Sequence, residues 1–403
     1  MSGLLSRLPI ELRTLVVGQL KLRDLSSISL VCKTWQIVAF PYLYHTIRLS
    51  NVAHLQVLEE RLLANDMPDS LSVSIHLRCL KLGGIGGIRD SDIHHFDIIV
   101  PKLTHLDCLY WELGFMPDNF HWFSTCPGLK SVHLLPKGII DIDDQWIRRL
   151  DQLLQFTNLT HFSLHSDILP HGFNQYDDQH IEPLTALLRS SPNLESIVLN
   201  IEGDYPPYSP TLILEPLGSQ FIFPKLHTFH ILGDADPDWS EFIASPTHPL
   251  RTFLTRHPTI QDLGIGCPLE DVSSDGIEPD ELSQLLPSVK HLACPLFLCK
   301  VVVISKLATQ LESLAISDMW LGDSDDKPFD DLLEVMTEDS LPNLRKLAIW
   351  GDFRSYMLGA EVLEAFFLSA KGLEGLEFRI DVDDYVSFEN NQLRFDLYTY
   401  FLG

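Results

Sequence analysis

One phrase recurs along most of this chain and limits what it can fold into: apolar, two variable residues, apolar, one variable, apolar. It stands as LRCLKL at 77, LTHLDC at 103, LKSVHL at 129, LTHFSL at 159, LESIVL at 194 and LHTFHI at 226. It continues as IQDLGI at 260, VKHLAC at 289, LESLAI at 311, LRKLAI at 344 and LEGLEF at 373. These eleven starts lie 22 to 35 residues apart, and most follow a PK, PN, PG, PT or PS pair. Alternating apolar positions predict a short strand with one buried face. Amphipathic segments at 144–156, 181–191, 279–289 and 361–370 sit just upstream and predict helices. A unit of helix, proline turn and strand cannot bury its apolar face alone. Neighbouring units must stack, strands side by side and helices outside.

The phrase resembles leucine-rich repeats, though loosely. The asparagine that family places after the last inward strand position is missing; Asp fills that slot at 167, 234, 352 and 381. The resemblance implies an α/β fold, an irregular leucine-rich-repeat solenoid with a curved parallel sheet and helices outside. Such solenoids present partners on the open sheet face and on the loops at the strand ends. The strand positions facing that side include His161, His165, Asn200, His230, Asp262, His291, Lys346 and Trp350, with Asp234 and Asp352 on the rim. From these, His161, His165, His230, Asp234, His291, Trp350 and Asp352 are the candidate target-binding residues.

The start of the chain follows a different pattern. Leu8, Leu12, Leu15, Val16 and Leu20 keep helical spacing, with Pro9 suited to a first turn and Glu11 to the positive end of the dipole. Leu25, Ile28, Val31, Cys32, Trp35, Val38 and Ala39 recur at intervals of three and four and predict a second helix, capped by Asp24 and broken by Pro41. A short third segment, YLYHTIRL, follows. Three short helices make too small a core to stand alone, so their excess apolar surface needs cover.

LPIEL, then Leu20, RDL, SLVCKTW and LYHTIRL resemble the F-box in order and spacing, over about residues 6–47. With the repeats, the chain resembles the F-box/leucine-rich-repeat proteins numerous in fungi. The resemblance implies a three-helix module at 1–48 that docks onto a Skp-type adaptor, and through it onto a cullin scaffold and RING subunit, with repeats over 49–403. The matching positions are Leu8, Pro9, Leu12, Leu15, Leu20, Leu25, Leu30, Val31, Cys32 and Trp35. Arg13 departs from the pattern, standing where many members have leucine.

Charge narrows the partners. A formal net charge of −26, from 29 basic and 55 acidic side chains, argues against a nucleic-acid binder, which needs cations against phosphates. It disfavours anionic membranes and suits a partner with a basic patch. Seven scattered cysteines fit a reducing compartment. The first residues hold no signal-peptide core, and the run CPLFLCKVVVISKLA is interrupted by Lys300 and Lys306, short of the ~20 apolar residues that span a bilayer. Cytoplasmic or nuclear residence is expected.

No cofactor, metal or catalytic residue is expected. In GGIGGIRD at 83, Arg89 stands where a dinucleotide fingerprint needs glycine. The open-face histidines and the cluster His94, His95 and Asp97 read as ordinary hydrogen-bonding groups. The expected function is non-catalytic: a substrate receptor of a ubiquitin ligase, or alternatively an F-box scaffold or ligand sensor outside a ligase.

Overall fold

The computed structural model describes residues 9–64, 71–83, 87–113, 115, 120–124, 126–135, 151–166, 182–201, 208–233, 235–266, 276–320, 329–352, 360–380 and 392–396. The chain divides into two compact units, Met1–Phe162 and Ser163–Gly403.

The first unit opens with three helices, α1 (Ile10–Gly18), α2 (Leu22–Ser29) and α3 (Lys33–Leu43). Pro9 precedes α1 and Glu11 sits in its first turn. Val17, Leu25, Trp35, Val38 and Ala39 form the core of this head, with Leu20, Ile28, Tyr42 and Leu43 packed against it. Tyr42 donates its hydroxyl to the Thr14 carbonyl at 3.2 Å and ties α3 to α1.

Four sequence expectations are corrected here. The single helix expected through SLVCKTW is two helices: Cys32 is fully extended (φ −165°, ψ 166°), and α2 ends before it. Asp24 is not the cap of α2; Lys21 holds that position and Asp24 lies in the first turn. Pro41 does not break α3, which runs on to Leu43; a proline this close to a helix end removes one backbone bond without a following turn to disrupt. The TIRL of the expected third segment is instead strand β1 (Thr46–Leu49).

β1 pairs in parallel with β2 (Cys79–Gly83), β2 with β3 (Cys108–Glu112) and β3 with β4 (Ser131–Leu134). Leu80, Leu82, Leu109, Trp111, Val132 and Leu134 alternate inward and are fully buried. The third of these strands begins later than expected. LTHLDC at 103 leads into it, and the phrase that forms it is LDCLYW, with Leu106, Leu109 and Trp111 inward.

Strand β5 (His161–Ser166) lies at the division between the units. In the second unit, β6 (Ser196–Ile201), β7 (Thr228–Gly233), β8 (Asp262–Ile265), β9 (His291–Cys294), β10 (Ser313–Trp320), β11 (Lys346–Asp352) and β12 (Gly375–Ile380) pair in parallel, in chain order. β13 (Gln392–Asp396) closes the end antiparallel to β12. The expected helices are present at Glu182–Ser190, Pro279–Leu285 and Ala360–Ser369. Residues 144–150 of the other expected helix lie outside the described residues; Asp151–Gln155 is a 3-10 turn. The apolar run at 294–308 includes the helix Leu296–Ile304, six of whose residues are buried. Leu263, Ile265, Leu292 and Cys294 meet Trp239, Phe242, Leu254, Leu282, Leu298 and Val302, leaving a cavity of about 20 Å³. The α/β leucine-rich-repeat architecture expected from the phrase, with a parallel sheet and helices outside it, is the fold found. No helix among the described residues is long and apolar enough to cross a membrane.

The proline pairs have a mechanical reason. In Cys126–Leu129, Ser191–Leu194, Phe223–Leu226, His257–Ile260 and Leu341–Leu344, the last N–H closes a turn onto the first carbonyl, at 3.1–3.2 Å. Proline is the second residue each time, where its fixed φ suits the turn. Each strand is then entered through a shared acceptor. The Arg78 carbonyl takes N–H bonds from both Asp107 and Cys108, and Gln261 from both Lys290 and His291. Glu312 does the same for Arg345 and Lys346.

Candidate functional site

Two surfaces carry candidate chemistry. The first is the outside of the head. Breaking the helix at Cys32 turns Leu30 and Val31 outward, 84% and 69% exposed. Leu12 and Leu15 on α1 are 47% and 65% exposed, and Pro9 and Cys32 are exposed as well. Ile10, Val16, Leu22 and Ile37 extend this apolar surface, although the sequence motif did not single them out. The remaining motif residues face the other way. Leu25 and Trp35 are buried in the head's own core and Leu20 packs on it, so these three hold the helices together. Leu8 lies outside the described residues.

The second surface is the open face of the sheet in the second unit. Pairing aligns Gly264, Ala293, Ala315 and Ala348 across β8 to β11, with His230 at one end of the row and Glu377 at the other. The neighbouring row is Asp262, His291, Ser313, Lys346 and Gly375. Small side chains between larger ones leave a groove of about 370 Å³, with Trp350 on its wall. Gly264 has a local reason: an added Cβ would stand 3.0 Å from the His230 ring. Glycine lets that ring lean over β8, where Nε2 lies 2.8 Å from Asp262 Oδ1. The groove thus has an apolar floor and mixed polar walls.

His230, His291 and Trp350 line this groove. His161 and His165 are half-buried on β5, and the lining residues do not include them; His161 Nδ1 lies 2.9 Å from Thr160 Oγ1. Asp352 is the last residue of β11 and its side chain lies outside the described residues, as does Asp234. The groove floor was missed by sequence reading, although its signal was present in the small residue at the fifth position of four late phrases, Gly264, Ala293, Ala315 and Ala348.

Other histidines serve structure. His95 Nδ1 pairs with Glu59 Oε2 at 2.6 Å, and Trp122 donates to Asp97 at 2.5 Å. Among the described residues, no group of three or more His, Cys, Asp or Glu is placed to hold a metal.

Residues 5–50 match the F-box-like family model. Among solved structures, the chain is similar to an internalin from Listeria monocytogenes, at 13% identity and a TM-score of 0.34, covering 93% of this chain and 89% of that one. No curated protein matches the sequence significantly.

Proposed function

We propose that this chain is the substrate-recognition subunit of a Skp–cullin–F-box ubiquitin ligase, working in the cytoplasm or nucleus. Its head binds a Skp-type adaptor, and the open sheet face of the second unit holds a target protein. The chain does no bond chemistry; it raises the local concentration of target beside the ubiquitin-carrying enzyme. One observation carries this reading. Within the segment that matches the F-box-like model, Leu12, Leu15, Leu30 and Val31 are exposed although the head has its own core. Apolar side chains held outside a formed core are a binding surface, because nothing in the fold requires them there.

The test is co-expression with a Skp-type adaptor and a cullin–RING pair. A one-to-one adaptor complex that recruits the cullin is expected. Leu30→Asp with Val31→Asp should lose the adaptor without lowering the melting temperature, since both side chains point into solvent. Adaptor retained at the wild-type level by that double variant overturns the reading. An adaptor complex that never recruits the cullin turns it into the scaffold alternative.

A further inference from the structure

The open face of the first unit carries an arrangement that adaptor and target binding do not use. Cys79 on β2 and Cys108 on β3 are paired in register. Their side chains therefore leave the sheet on the same side, one strand spacing apart. That spacing is about 4.8 Å, inside the range of Cα separations, about 4.4–6.8 Å, that a disulfide bridges. Thr46 and Ser131 extend the same row on either side. The next row on this face is Arg48, Lys81, Tyr110 and His133. Lys81 Nζ lies 4.1 Å from the Tyr110 ring centre, and Tyr110 stacks on His133 at 4.1 Å. His133 in turn lies 2.8 Å from Ser131 Oγ. The two thiols are thus bordered by a fixed cationic and aromatic row, and they stand on the face opposite the buried Leu80, Leu82, Leu109 and Trp111.

We infer that Cys79 and Cys108 form a two-thiol redox site that closes to an inter-strand disulfide by exchange with a small-molecule disulfide such as glutathione disulfide. The two sulfurs are not equivalent. The neighbouring Cys108 thiol, together with the Lys81 charge and Thr46, outweighs burial and the Asp107 charge, holding Cys79 down to about 7. The neighbouring Cys79, with burial, pushes Cys108 up. Cys79 is the attacking thiolate and Cys108 the resolving thiol.

The exchange balances in two steps. The Cys79 thiolate attacks one sulfur of glutathione disulfide; that S–S bond breaks, and one glutathione leaves as thiolate. The leaving thiolate takes the Cys108 proton. Cys108 sulfur then attacks Cys79 sulfur in the mixed disulfide, and the second glutathione leaves as thiolate. Two protein thiols are oxidised by two electrons, and one small disulfide is reduced to two thiols.

A second pair in the chain separates proximity from reactivity. Cys294 and Cys299 have sulfurs 3.7 Å apart, yet both are fully buried among apolar side chains. Closeness alone therefore predicts two disulfides, whereas access predicts one: Cys108 is half-buried on the open face with Cys79, 8% exposed, beside it, while Cys294 and Cys299 are sealed in the core.

The experiment incubates the native full-length chain with glutathione disulfide, caps remaining thiols with iodoacetamide and maps the peptides by mass spectrometry. A Cys79–Cys108 crosslink is expected, reversed by dithiothreitol, with Cys294 and Cys299 still reduced. Cys108→Ser should accumulate a glutathione adduct on Cys79, and Cys79→Ser should leave Cys108 unmodified. The wild-type crosslink needs no variant, so misfolding of either mutant cannot hide a failure. Cys32 is exposed and reports whether the reagent is active. Cys32 glutathionylated while Cys79 and Cys108 remain capped and unlinked overturns the inference, as does an adduct trapped on Cys108 in Cys79→Ser.

Discussion

His257 shows how one side chain in this fold couples stability to pH. It opens a proline turn and is fully buried. Nδ1 donates to the Phe253 carbonyl at 2.7 Å, and Nε2 accepts from the Phe223 N–H at 2.9 Å. That pattern needs the neutral ring: a second proton would set two donors against each other. Burial, against the opposing Phe253 bond, holds its pKa below the ordinary 6.5. Burial does the same for His248, whose Nδ1 accepts from Leu250 N–H at the start of a helix. A depressed folded value means the stabilisation is complete above pH 6.5. It is lost as pH falls below 6.5, where the unfolded chain takes up protons that the folded chain refuses. Thermal melts should therefore show stability falling between pH 7 and pH 5. His257→Gln should cost about 1–3 kcal/mol at pH 7, because two buried backbone groups lose a well-placed partner. It should also flatten the acid slope; an equally steep slope in the variant assigns that slope to other groups.

At the scale of elements, the repeats were legible because a strand and a proline turn each leave a local trace. Alternation marks Phe229 and Ile231 or Leu347 and Ile349 as inward whatever their neighbours do. Two of the misreadings share a reason: a short apolar spacing fits more than one local arrangement. Leu103, Leu106 and Leu109 are each three apart, so the phrase fits at two registers, and only packing selects Leu106, Leu109 and Trp111. In the head, Leu30, Val31 and Cys32 keep helical spacing but form the turn between α2 and α3. Their apolarity belongs to the surface, and no intrachain pattern could reveal that. The division between exposed Leu30 and buried Trp35 yields a prediction about the head. Trp35→Ala opens a hole in a small core and should cost about 3–5 kcal/mol. It should lower head stability and adaptor binding together. Leu30→Asp should lower adaptor binding alone, and without adaptor it should reduce self-association of the chain, since it breaks the exposed apolar surface. Circular dichroism melts beside adaptor pull-downs separate the two effects. Adaptor binding that survives a melted head removes the helices from the interface.

For the whole molecule, the question is where the target sits. Two properties bear on it. The chain carries a formal charge of −26, which steers basic partners over a distance set by the screening length, about 8 Å at physiological salt. The second unit also offers a groove with a floor of Ala293, Ala315 and Ala348 and a wall of Trp350. Charge governs the rate of encounter, while a desolvated aromatic governs how long the complex lasts. The two contributions can be read apart. Raising salt from 50 to 500 mM should slow target association and leave dissociation nearly unchanged. Trp350→Ala should speed dissociation and weaken the complex by about 2 kcal/mol or more, as a central aromatic anchor does. Asp352→Asn, a single charge at the strand end, should act mainly on the association rate. Ala348→Phe is the sharpest of the set. It adds a ring to the floor of the groove without entering the core, which Leu347 and Ile349 fill from the other face. It should block capture while the melting temperature holds. Surface plasmon resonance on targets that accumulate when Leu30→Asp cuts the chain from its adaptor supplies the rates. Capture that tolerates both Ala348→Phe and Trp350→Ala moves the target off this face, to the helices outside or the strand-end loops.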